Sequence, residues 1–128
     1  MKTKNIVLYE HYDGVRFILE RSLTKTSQDI NIQSSNLKND VKNIIDHNHV
    51  DLLITELNRI NPTGLEISRY ARVNNPELKI IWITVLGCDV FREIKKQMGN
   101  IICFEKPLEI KDFRRDVYKA LDIVSSMG

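Results

Sequence analysis

Short apolar runs alternate with polar stretches in which apolar residues return at helical spacing. Ile6-Val7-Leu8-Tyr9 stops at Glu10-His11, and Val15, Ile18, Leu19 and Leu23 then recur three or four positions apart, which predicts a strand, a loop and a helix. Asp29-Ile30-Asn31-Ile32-Gln33 alternates polar and apolar, and Val41, Ile44 and Ile45 follow on one face of a second helix. Asp51-Leu52-Leu53-Ile54-Thr55 predicts a third strand, and the helix after it runs from about Gly64 to Val73, where Asn74-Asn75-Pro76 stops it. The fourth strand is Lys79 to Thr84, and its helix carries Val90, Phe91, Ile94 and Met98 before Gly99 closes it. Ile101-Ile102-Cys103-Phe104 predicts the fifth strand. Ile110, Phe113, Val117, Ala120, Leu121 and Val124 then lie on one side of an amphipathic last helix.

Five strand–helix pairs with short connections predict a doubly wound α/β domain: a five-stranded parallel sheet, helices on both faces and right-handed crossovers. Near-continuous apolar runs place strands one, three and four at the centre, and the alternation of strand two places it at an edge, which gives the order 2-1-3-4-5. Ligands of such sheets sit beyond the carboxyl ends of the strands, at the switch point between strands one and three.

The 128 residues make one domain, 1–128, which should bury roughly 65 to 70% of the surface of the unfolded chain. With 19 basic and 17 acidic residues the net charge is +2, too small and too evenly spread to imply nucleic acid or an anionic membrane. Met1-Lys2-Thr3-Lys4-Asn5 leads into an apolar run too short for a leader or a membrane span, so the chain is expected to be soluble and cytoplasmic. Cys88 and Cys103 have neither metal-ligand spacing nor the density of a disulfide scaffold and are expected to be free thiols. Ser125-Ser126-Met127-Gly128 reads as a frayed end or as the point where an output domain was removed.

The residues that finish the strands carry the candidate chemistry. They are Glu10 and His11 after the first, Glu56 after the third, Thr84 at the end of the fourth and Lys106-Pro107 after the fifth. An acid, a hydroxyl and an ammonium converging on one edge could hold a phosphoryl group. In this order the chain resembles the receiver domain of two-component response regulators, a flavodoxin-like three-layer (βα)5 sandwich, over nearly its full length. The resemblance implies a phosphorelay signalling domain that is not an enzyme. Glu56 falls on the family's phosphorylated aspartate, Glu10 and His11 on its acidic pair, and Thr84 and Lys106 on its switch hydroxyl and phosphoryl-contacting lysine. Gly64-Leu65-Glu66 matches the opening of its third helix.

The departures from that family decide the functional expectation. Family members are phosphorylated with the help of a magnesium ion held by carboxylates. Here His11 offers nitrogen in place of a carboxylate, so magnesium should bind weakly, at Glu10 and Glu56. Glu56 extends its carboxylate about 1.5 Å beyond an aspartate's, a costly error for in-line transfer. The longer arm comes within reach of Lys106 and Thr84 and imitates part of a phosphorylated aspartate, with one negative charge where a phosphoryl group brings about two. Val85 stands where the family has a small residue and should narrow the site. Cys103 stands where the family often has a Tyr or Phe, so no ring reports the state of the threonine, and Phe104 should face the other side of the strand.

Other candidates are weaker. Asp51 lies about 16 Å from Glu56, at the opposite edge of the sheet, and no fixed base or cation is evident beside Asp13 or Asp89. His47 and His49 read as loop residues and Trp82 as core. Lys111, Arg114, Arg115 and Lys119, with Arg92, Lys95 and Lys96, read as solvated helix faces. By the resemblance they could meet an acidic partner, or a second copy, on the face formed by the fourth helix, fifth strand and fifth helix. The expected function is an atypical or pseudo-receiver that works by contact with a sensor kinase, output domain or other signalling protein, without direct nucleic-acid binding. The alternatives are a receiver still phosphorylated at a non-standard residue and a small flavodoxin-like enzyme. Glu10-His11-Tyr12-Asp13-Gly14 offers too few donors for the phosphate loop that such an enzyme needs.

Overall fold

Each predicted strand–helix pair is present in the computed structural model, which describes residues 3–25 and 29–123. The elements are β1 (Lys4–Tyr9), α1 (Asp13–Thr24), β2 (Ile30–Ser35), α2 (Lys38–His47), β3 (Leu52–Leu57), α3 (Thr63–Asn74), β4 (Lys79–Thr84), a 3-10 turn (Cys88–Phe91), α4 (Arg92–Met98), β5 (Ile101–Glu105) and α5 (Ile110–Ala120). All neighbouring strands are parallel and their order is β2-β1-β3-β4-β5. Val124, expected on the last helix, and the segments Met1-Lys2 and Ser125-Ser126-Met127-Gly128 lie outside the described residues.

Side-chain alternation splits the core into two layers. Ile6, Leu8, Leu52, Ile54, Ile81 and Ile83 pack against Leu19 and Leu23 of α1 and Phe113 and Val117 of α5. Val7, Tyr9, Leu53, Ile80 and Trp82 face Val41 of α2, Ile67 and Ala71 of α3, and Phe91. Phe104 stacks edge-on against Phe113 at 5.5 Å, on the layer opposite Cys103, as the strand period requires. Trp82 is fully buried and its Nε1–H donates to Ser68 Oγ at 3.0 Å; that hydroxyl donates to the Gly64 carbonyl at 2.8 Å.

Several boundaries differ from the sequence pattern for identifiable reasons. β3 continues two residues past Thr55 because Glu56 and Leu57 pair with Ile83 and Thr84 of β4, so Glu56 is part of the strand rather than the loop after it. His47, expected in a loop, closes α2 and bonds through its ring to the Asn43 carbonyl at 2.8 Å. Val90 and Phe91 belong to a 3-10 turn, and α4 is only seven residues long before Gly99 ends it at φ 67°. No helix among the described residues is long and apolar enough to cross a membrane.

The expectation of free thiols is overturned: Cys88 and Cys103 form a disulfide, with their Cα atoms 6.0 Å apart. The spacing of 15 residues gave no sign of it. β5 lies parallel beside β4, and the chain leaving β4 turns back over β5 before α4 begins, which brings the two sulfurs together.

Candidate functional site

The carboxyl ends of β1, β3 and β5 deliver one cluster. Lys106 Nζ donates to Glu10 Oε1 at 2.7 Å and to Glu56 Oε2 at 3.0 Å. Glu10 is buried, with 1% of its side chain exposed, and Glu56 and Lys106 are 13% and 14% exposed. The second Glu10 oxygen accepts the Tyr12 N–H at 3.0 Å. The Tyr12 ring lies 5.6 Å from the ammonium, close enough for a cation–π contact. Arg16 donates to the Glu10 carbonyl at 3.0 Å and pairs with Asp13 at 2.6 Å, which fixes the loop that carries Glu10.

Glu56 is held from below by its backbone. Its carbonyl accepts the Thr55 hydroxyl at 3.2 Å and lies against the first turn of α3, where a Cβ on Gly64 would come within 1.9 Å of the carbonyl oxygen. Only glycine admits that approach. Asn61 Oδ1 accepts the N–H and hydroxyl of Thr63 and so anchors the start of α3. Thr63 in turn meets the Tyr9 phenol, which burial pushes above its ordinary pKa.

Two carboxylates share one ammonium, which leaves one net negative charge at neutral pH. Burial, followed by the adjacent Glu10 carboxylate, raises the pKa of Glu56 against the opposing pull of Lys106. For Lys106, burial alone would lower the pKa, but its contacts with Glu10 and Glu56 outweigh burial and raise it. The ionised Glu56 is therefore held in the folded state at a cost. Glu56→Gln is expected to relieve that cost at pH 7, with the gain shrinking as pH falls toward the ordinary carboxylate range. Urea unfolding at pH 7 and pH 4.5 measures this, and a destabilisation that is larger at pH 7 would contradict the charge balance described.

The sequence-predicted residues are not all brought together. Glu10, Glu56 and Lys106 converge. His11 is exposed, and its ring meets the Tyr12 ring at 5.0 Å in a T-shaped contact. Thr84 is buried beside the cluster, but its hydroxyl accepts the Leu86 N–H at 3.1 Å and closes the loop after β4. Val85 is 67% exposed and stands with Val15, Ile18, Lys106, Pro107 and Leu108 around an apolar groove. Cys103 is bonded to Cys88. Asp51 sits at the far edge, accepting the Asn5 N–H at 2.8 Å and His49 Nε2 at 3.0 Å.

The sequence reading did not single out Tyr12, Arg16 or Tyr9. The contacts of Tyr12 and Arg16 depend on how the loop after β1 folds back, and that of Tyr9 on how α3 starts beside β1; no periodicity encodes either. Three of the four carboxylate oxygens are engaged: the ammonium takes one oxygen of each glutamate and the Tyr12 amide the second oxygen of Glu10. Among the described residues, no group of three or more His, Cys, Asp or Glu is placed to hold a metal. A magnesium ion at Glu10 and Glu56 would have to compete with the Lys106 ammonium for the same carboxylate oxygens.

No protein-family model matches the chain. It is 24% identical to the sporulation initiation phosphotransferase F of Bacillus subtilis over 127 residues, which is 98% of this chain and 100% of that protein. It is 28% identical over 106 residues, 83% of this chain, to the sensor protein EvgS of Escherichia coli, of which it spans only 9%. A response regulator receiver domain protein (CheY-like) from Methanospirillum hungatei superposes with a TM-score of 0.83 at 15% identity, covering 94% of this chain and 95% of that one. The fold is that of receiver domains.

Proposed function

We propose that the chain is an atypical receiver module of two-component signalling, held in one state by the Glu10–Lys106–Glu56 cluster and acting through protein contacts without ordinary aspartyl phosphorylation. The observation that carries the reading is Lys106 Nζ bridging both glutamates at 2.7 and 3.0 Å. In this arrangement the Glu56 carboxylate occupies the place where a phosphoryl group on a shorter aspartate would meet the lysine. One negative charge there engages the lysine without any donor or metal. The neighbouring Glu10 leaves the cluster with a net negative charge that repels an incoming anionic donor. A phosphotransferase and a sensor protein among the relatives support placement in a phosphorelay.

Partners suited to this reading are a sensor kinase, an output domain or another signalling protein. Arg92, Lys95 and Lys96 on α4 and Lys111, Arg114 and Lys119 on α5, interspersed with Glu93, Asp112 and Asp116, are the cations there for an acidic contact or a second copy. Arg115 pairs with Asp112 at 3.1 Å and Asp116 at 3.5 Å within its own helix and is less available.

Intact mass after incubation with magnesium and acetyl phosphate, for the natural chain and for Glu56→Asp, tests the proposal. The natural chain is expected to gain no phosphoryl mass. Labelling of the aspartate variant alone would identify the extra methylene of Glu56 as the main block; labelling of neither would point to the lysine-filled oxygens as well. A stable adduct on the natural chain would overturn the reading.

A further inference from the structure

We propose that the Cys88–Cys103 pair is a reversible thiol–disulfide exchange site, and that its reduction by a dithiol releases the 3-10 turn and the start of α4 from the sheet. Cys88 opens the 3-10 turn, and Cys103 lies on β5, on the layer that faces Trp82 and Phe91. Both residues are half-buried. The cross-link spans the whole of α4 and ties its approach to the outermost strand of the sheet.

Besides the cross-link, the segment is held by buried Phe91 and by partly buried Leu86, Ile94 and Met98, which pack on the core layer of α2 and α3. α4 contributes no buried residue. Ahead of it, Phe91 packs edge-on against Trp82 at 6.2 Å, and the Cys88 N–H donates to Glu105 Oε1 at 3.0 Å in an exposed hydrogen bond. The far end is gripped separately: the Arg72 guanidinium donates to the carbonyls of Met98 and Gly99. A segment with few buried contacts opens locally at small free-energy cost. Here the covalent bond adds to the packing of Phe91 and Leu86 on the end that leads in from β4. Neither cysteine touches the Lys106 cluster, so the device does not rest on the function proposed for that cluster.

Exchange begins when a reductant thiolate attacks one sulfur of the pair. The Cys88–Cys103 bond breaks, a mixed disulfide forms, and the departing cysteine sulfur takes up a proton. The reductant's second thiolate then attacks its own sulfur in the mixed disulfide, closes a cyclic disulfide and frees the other cysteine, which is also protonated. Two electrons and two protons pass from the dithiol to the pair, and an oxidised disulfide partner reverses the transfer.

The whole chain serves for the test. After exposure to oxidised glutathione, denaturing alkylation with iodoacetamide is expected to add no carbamidomethyl group; after dithiothreitol it should add two. Amide hydrogen exchange in residues 86–100 is expected to quicken on the order of tenfold on reduction, with β1 and β3 unchanged, and Cys88→Ser should reproduce the reduced pattern. Three results would each overturn the proposal: two alkylatable thiols after the oxidant, equal exchange of residues 86–100 in both states, or an acceleration spread evenly over the whole chain.

Discussion

Lys106→Met is expected to lose about 3 to 5 kcal/mol of folding free energy at pH 8, the range found when a buried ion pair loses one partner. Two half-satisfied carboxylates, Glu10 and Glu56, would face each other where an ammonium now separates them. The folded variant would recover by taking up a proton between them, and this fixes the sign of the pH dependence. A carboxylate whose folded pKa exceeds its unfolded value makes the folded state bind more protons, so stability rises as pH falls through that window. The loss should therefore shrink markedly at pH 5. At the alkaline end the natural chain should behave differently. The raised pKa of Lys106 contributes stability that is full below the ordinary lysine value and is lost as pH climbs through the folded value. That alkaline decline should be absent from the methionine variant. Urea unfolding at pH 5, 8 and 10.5 measures all of this, and an equal loss at pH 5 and 8 would show that Lys106 acts by packing alone.

Gly64→Ala is the second large effect. The new methyl would lie 1.9 Å from the Glu56 carbonyl oxygen and 3.0 Å from its carbon, and both belong to backbone, which cannot swing aside as a side chain can. The start of α3 or the end of β3 must move, at about 3 kcal/mol, the upper part of the range for overpacking. Because the displaced residue is Glu56, the shift should also lengthen its contact with Lys106, and the pKa of Glu56 should move with it. Gly14→Ala is the matched control: an added Cβ there meets nothing within 4 Å, and the change should be neutral or stabilising by up to about 1 kcal/mol. Chemical denaturation of both variants, with the Glu56 carboxyl followed by NMR titration, separates the two. Equal stabilities would remove Gly64 from the account of how the site is positioned.

The sheet was readable because its three central strands are buried on both faces: Ile80-Ile81-Trp82-Ile83 cannot be exposed at either side, and the helices between strands show one apolar face each. Glu10, Glu56 and Lys106 were readable as strand-end residues once strand order was known. Local backbone pairing was not. Nothing in the hydropathy of Glu56 reveals that it stays in the β3–β4 ladder opposite Ile83. His11 follows Glu10 in sequence but turns outward because the loop folds back to place the Tyr12 amide on Glu10, a choice made by hydrogen bonding over two residues. The disulfide depends on the β4–β5 register and on the path of the intervening turn. Both are tertiary facts, and two cysteines 15 residues apart carry no trace of them.

Arg72 gives α4 a fulcrum. Its guanidinium, reaching from α3, holds the carbonyls of Met98 and Gly99, so any tilt of the helix is a rotation about its carboxyl end. A seven-residue helix is about 10 Å long at 1.5 Å per residue, and displacement in a rotating lever grows with distance from the pivot. Once the Cys88–Cys103 bond is open, Arg92, at the end farther from Arg72, would sweep the widest arc and Lys96 a much shorter one. A protein resting on this face would register motion of α4 mainly through the guanidinium of Arg92.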